Sequence, residues 1–281
     1  MAPWTDHKGR LVPLKLATFL ALFGPAFWVL WQWSQDDLGP KPVTEALHQT
    51  GTWAVYLLLG SLAVTPLRAI VYWPRLIDIR RMVGVAACLY LIGHFALYIY
   101  DQKGDMLRVA SEIVLRFYLT IGFIGLLGIV ALGVTSTDGS VHRLGSMRWS
   151  KLHRTIYWLM LLAFIHAFLQ SKIDVTNWVM LSGIFFAMMM WRFASRRGQD
   201  GYAVLVVIAL LACLSTALIE ALWYFGKTGV VASRVLAANF DSDLAWRPSQ
   251  IVLLALLVCI PLRLIGQRRM ADRRKKAPRG A

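Results

Sequence analysis

Residues 82–100 read MVGVAACLYLIGHFALYIY, a stretch without a formal charge. As a helix it is about 28 Å long, enough to cross the hydrocarbon core of a bilayer. Its metal-binding side chains are the thiol of Cys88 and the imidazole of His94. A titratable group at membrane depth is costly, so it carries a partner or a task.

The rest of the chain has the same character. The hydrophobic fraction is 58%, and twelve of the 281 residues are Trp, many near the ends of apolar runs as an aromatic belt requires. Further runs at 14–33, 53–71, 118–135, 152–170, 175–193, 202–224 and 249–266 bring the predicted spans to eight. The first run leads into QDDLGPKP without a small-residue cleavage site, so it reads as a retained helix and not as a signal peptide. The fold class expected is all-α, a polytopic membrane helix bundle.

Basic residues orient it. Of 30 Lys and Arg, eight belong to the connections after spans one, three, five and seven: Lys41, Lys103, Arg108, Arg116, Lys172, Lys227, Arg234 and Arg247. The other 22 belong to the N-terminal segment and the connections after spans two, four, six and eight, which predicts cytoplasmic termini. The net charge of +15 is then topological and calls for no nucleic acid, while the tail RRMADRRKKAPRG favours anionic lipid headgroups. Cys88, Cys213 and Cys259 all fall inside spans, with no CxxC or CxxCH. That argues against c-type haem, a zinc site or a disulfide framework.

Three of the six histidines lie in apolar helices: His94, His153 and His166. A single such histidine is more often a hydrogen-bonded core residue than a ligand. Depth changes the weighing. His94 stands about 13 residues, or roughly 20 Å, from the arginines that precede its span, and His166 stands about 14 residues into span five. Two neutral imidazoles at one depth on different helices can fill both axial positions of a haem iron. His153 lies roughly 20 Å of rise from His166 on the same helix and about 140° around it, so one haem cannot bridge the two. Arg81 occupies the matching depth on the His94 helix, leaving one bis-histidine site and one half site. His7 and His142 read as solvated, and His48 reads as a cap or partner contact ahead of span two.

Several motifs occur in one order: GPKPVTEALHQTG (39–51), VTPLR (64–68), RRMVG (80–84), TST (135–137), RLG (143–145), W-x-x-LHR-x-x-Y from Trp149, and H-x5-K from His166 to Lys172. Over about residues 10–195 the chain resembles the MsrQ (YedZ) family, haem-binding membrane subunits in the ferric-reductase-like transmembrane group. The resemblance implies a b-type haem protein of the bacterial inner membrane, without catalytic residues for the final substrate. It would pass electrons from the quinone pool or a cytoplasmic flavin reductase to a periplasmic molybdopterin-containing methionine-sulfoxide reductase, for repair of oxidised proteins. The family's haem ligands carry over onto His94, His153 and His166. Flavin mononucleotide is also associated with the family, although this chain has no flavin motif and no GxGxxG. Two departures stand out: Arg116-Phe117-Tyr118 replaces Arg-Pro-Tyr, and Leu169 replaces a Trp.

His153 with Arg80, Arg81 and Arg154 would then hold a second haem, haem propionates, a quinol headgroup or a flavin phosphate, unless the arginines only enforce topology. The junction ASRRGQDG (194–201) divides the chain into a six-helix core, 1–197, and a two-helix extension with a basic tail, 198–281. Glu220 is an intramembrane acid in that extension, pairing with a polar neighbour or snorkelling to the interface. The rival functions are a ferric or cupric reductase or oxidase and, in another class, a proton-coupled transporter, for which no paired broken helices stand out.

Overall fold

A computed structural model of the chain describes residues 2–6, 8–241 and 246–276. His7 and the end of the basic tail lie outside these residues. The protein is all-α. It is 81% helical, and among the described residues the sole extended pairing is an isolated bridge between Thr5 and Leu11. Fourteen helices follow one another: α1 (Pro13–Ala21), α2 (Gly24–Ser34), α3 (Pro42–Ile70), α4 (Ile77–Asp101), α5 (Met106–Leu115), α6 (Phe117–Val134) and α7 (Asp138–Leu144), then α8 (Ser146–His153), α9 (Ile156–Gln170), α10 (Thr176–Arg196), α11 (Tyr202–Thr228), α12 (Ala232–Asn239), α13 (Pro248–Leu257) and α14 (Cys259–Lys276). They supply eight apolar segments long enough to cross a membrane, in the positions expected. The chain is a multi-pass membrane protein.

Local chemistry shifts several boundaries. Helix α3 begins at Pro42, with Glu45 in its first turn, so His48 sits inside the helix and does not precede it. Between two spans lies α7, whose N-cap Thr137 accepts from the Ser140 amide, and His142, read as solvated, is exposed on it. Span one is broken between α1 and α2, where Pro25 cannot continue the hydrogen-bond ladder. Tyr90 bridges that break: its hydroxyl donates to the Leu22 carbonyl at 2.8 Å and accepts from the Ala26 amide at 2.9 Å. Span eight is broken ahead of Pro261 for the same steric reason. Pro66 lies inside α3, where it withholds an N–H from the Leu62 carbonyl; the Arg192 guanidinium donates to that carbonyl instead.

The helices divide into two compact units, Met1–Ser61 with Asp78–Gln170, and Leu62–Ile77 with Ser171–Ala281. In the first, α6 packs along α9 and α5 against α6. In the second, α11 packs on α10, α12 and α13. Span six therefore shares a unit with the end of α3, whose Ile70 packs with Ala187 and Trp191, and with the spans that follow residue 197. The buried stripe Val179, Gly183, Ala187 and Trp191 on α10 recurs every four residues, one side of a helix, and small residues let α11 approach closely. Within this unit Glu220 is buried and paired, its Oε2 accepting from Asn239 Nδ2 at 2.6 Å.

Candidate haem-ligand site

His94, His153 and His166 all belong to the first unit. His94 projects from α4 toward α3, and its Nδ1 donates to the Leu47 carbonyl at 2.8 Å. His166 projects from α9 toward α6, and its Nδ1 donates to the Tyr118 carbonyl, also at 2.8 Å. A carbonyl oxygen can only accept, so each neutral ring carries its proton on Nδ1 and keeps the lone pair on Nε2. His48 and His166 lie within electrostatic reach of His94. Two rings on different helices, each with Nδ1 committed to the backbone and Nε2 without a hydrogen-bond partner among the described residues, fit the neutral imidazole donors that would hold a haem iron.

The start of α6 is pinned where it receives His166. Arg116, the N-cap residue, pairs with Glu112 and donates to the Tyr118 hydroxyl at 3.1 Å. Phe117 takes the first helical position, where proline would also fit, so its substitution for proline leaves the helix start intact. Both Phe117 and Leu169 are exposed.

His153 is held differently. Its Nε2 lies 3.2 Å from the Thr135 hydroxyl at the other end of α6. That hydroxyl spends its one proton on the Ala131 carbonyl at 2.8 Å, so it accepts from His153 and places the ring proton on Nε2. The imidazole stacks on Trp149, with centroids 4.0 Å apart, and Trp149 Nε1 donates to the Thr135 carbonyl at 2.8 Å. Arg80 and Arg81 are the cations that His153 senses. Arg81 also forms an ion pair with Asp138 at 2.5 Å. Arg154 is exposed. The structure thus brings Arg80 and Arg81 into electrostatic reach of His153, while His48, expected at a helix end, comes within reach of His94.

Sequence reasoning missed the two accepting carbonyls, Thr135 and the Trp149 stack. Backbone acceptors leave no signature in sequence. Trp149 was visible only as part of W-x-x-LHR-x-x-Y.

The fold is that of a polytopic membrane helix bundle, and residues 50–164 match the family model "Ferric reductase like transmembrane component". Curated relatives named "Protein-methionine-sulfoxide reductase heme-binding subunit MsrQ" are more specific. That of Xanthomonas axonopodis pv. citri is 38% identical over 187 residues, 66% of this chain and 83% of the relative. That of Xanthomonas campestris pv. campestris (strain 8004) is 40% identical over 191 residues, 68% and 84%. That of Caulobacter vibrioides is 35% identical over 175 residues, 62% and 83%. No solved structure gives a significant match. The chain belongs to the MsrQ family.

Proposed function

We propose that this protein is a haem b-binding electron-transfer subunit of a methionine-sulfoxide reductase system in a bacterial inner membrane, in which His94 and His166 would hold the haem iron. The carrying observation is that both rings commit Nδ1 to a carbonyl and keep Nε2 free. The relatives' name as heme-binding subunits supports it independently. Haem, when bound, supplies one-electron redox chemistry at its iron. The protein's own contribution is to hold two neutral imidazoles, to raise their basicity through the Nδ1–H bonds, and to surround them with apolar helices. Near His153 the side chains of Arg80 and Arg81 favour an anionic group such as a propionate or a flavin phosphate, or a quinol headgroup. The donor in this reading is quinol or a cytoplasmic flavin reductase, and the acceptor is a periplasmic molybdopterin-containing methionine-sulfoxide reductase. Both termini face the cytoplasm.

The test is haem stoichiometry and redox titration on purified protein, then reoxidation by the partner reductase with methionine sulfoxide. Protein that binds haem but passes electrons to ferric or cupric complexes and not to the partner would favour the metalloreductase reading, which the family-model match accommodates. A preparation without haem would end both readings.

A further inference from the structure

His94 and His166 share a second feature that their hydrogen bonds leave unexplained: a glycine four residues beyond each accepting carbonyl. Leu47 precedes Gly51 on α3, and Tyr118 precedes Gly122 on α6. Residues four apart share a helix face, one turn from each other. A Cβ built on Gly51 would lie 2.8 Å from Nδ1 and 2.9 Å from Cε1 of His94. One built on Gly122 would lie 2.7 Å from both Cε1 and Nδ1 of His166. Each imidazole therefore rests on a bare patch of neighbouring helix, and the carbonyl one turn earlier takes its proton. A side chain at either glycine would drive the ring off that patch and lengthen the Nδ1–H bond. Other glycines in the same helices lack this relation. Close approach alone does not set them apart, since a Cβ on Gly128 would press on the Leu159 side chain and one on Gly133 would lie 2.7 Å from Cys88 Sγ; what Gly51 and Gly122 share is an imidazole as the neighbour, whereas a Cβ on Gly93, adjacent to His94, meets nothing within 4 Å. A helix interior favours alanine over glycine, so the bare patch is kept against local preference.

We infer that Gly51 and Gly122 are positioning residues of the ligand pair: by seating His94 and His166 against α3 and α6, they fix the Nδ1–H tautomer and the ring plane that Nε2 presents to iron. The inference deepens the haem reading and rests on it for its consequence, but the seating itself can be tested without haem.

The experiment is a double-mutant cycle on the full chain, produced with haem synthesis blocked and melted in detergent. Gly51→Ala should lower the melting temperature of the parent and have no such effect once His94→Ala has removed the ring, and Gly122→Ala should behave alike with His166→Ala. The crossed pair, Gly51→Ala with His166→Ala, should be additive. Produced with haem, either glycine variant should hold it on the order of tenfold less tightly. Its low-spin electron-paramagnetic-resonance g-values and midpoint potential should shift, whereas Gly93→Ala should leave both in place. If a single variant fails to accumulate, recovery in the double variant supports the seating and continued failure overturns it. A cost of Gly51→Ala that persists without the His94 ring, or glycine variants with unchanged g-values and potential, also overturns it. A parent that binds no haem would remove the haem reading and leave the melting cycle to judge the seating alone.

Discussion

At one end of α6 the Tyr118 carbonyl takes the Nδ1 proton of His166, while at the other, about 25 Å along the helix, the Thr135 hydroxyl takes the Nε2 proton of His153. The two rings therefore offer opposite nitrogens. His166, like His94, keeps its lone pair on the nitrogen remote from its own backbone, the one that reaches a metal with least crowding. His153 keeps the nitrogen beside its Cβ. The anchors differ as well. A main-chain carbonyl survives substitution of its residue, whereas the Thr135 hydroxyl and the Trp149 stack are side chains that a single substitution removes. One region is built to hold a fixed geometry, the other to be adjusted.

The largest expected effect breaks the contrast at its firm end. His94→Ala or His166→Ala should abolish a low-spin b-type spectrum, and full haem with unmoved Soret and α bands in both variants would disprove the ligand pair. Next, His153→Ala should keep that spectrum while slowing reduction by the cytoplasmic-side donor about tenfold; complete loss of haem would place His153 among the ligands of the same site. Tyr90→Phe, one turn before His94 on α4, removes the hydroxyl from the break in span one. Its cost should be roughly 1–3 kcal/mol of stability, since two backbone groups lose their partner, read as a lower melting temperature with the haem bands in place. Thr135→Val should cost about 1 kcal/mol and free His153 to exchange tautomers, visible as a changed imidazole nitrogen resonance; an unchanged resonance would show that stacking alone fixes the ring. Smallest is Arg81→Ala. The Arg81 and Asp138 side chains are 48% and 84% exposed, so the loss should stay below about 1 kcal/mol, and a larger drop in a salt-titrated melt would assign the pair a structural role.

The spans were legible because apolar runs of helical length permit little else in a membrane. The matched depth of His94 and His166 came from counting residues from the basic ends, and it motivates the proposal that the two hold one haem. What hydropathy hid was polar helix. Residues 42–52 look like a loop by composition, although Pro42 and Glu45 are helix-start signals. The tautomers were illegible because their acceptors are backbone atoms. Packing partners were illegible for a different reason: ASRRGQDG marks where the chain turns, and it carries no signal for what α10 packs on, the end of α3 as well as α11 and α13.

The bridge made by Tyr90 also has a chronology. Ala26 and Tyr90 are 64 residues apart in sequence, which at about 5–20 residues per second is roughly 3–13 s of translation. Until Tyr90 emerges, the Leu22 carbonyl and Ala26 amide have no such partner, and neither group is tolerated bare in hydrocarbon. The first span must be sheltered by water or by the insertion machinery for that interval, and it becomes a finished element only when the helix carrying His94 arrives.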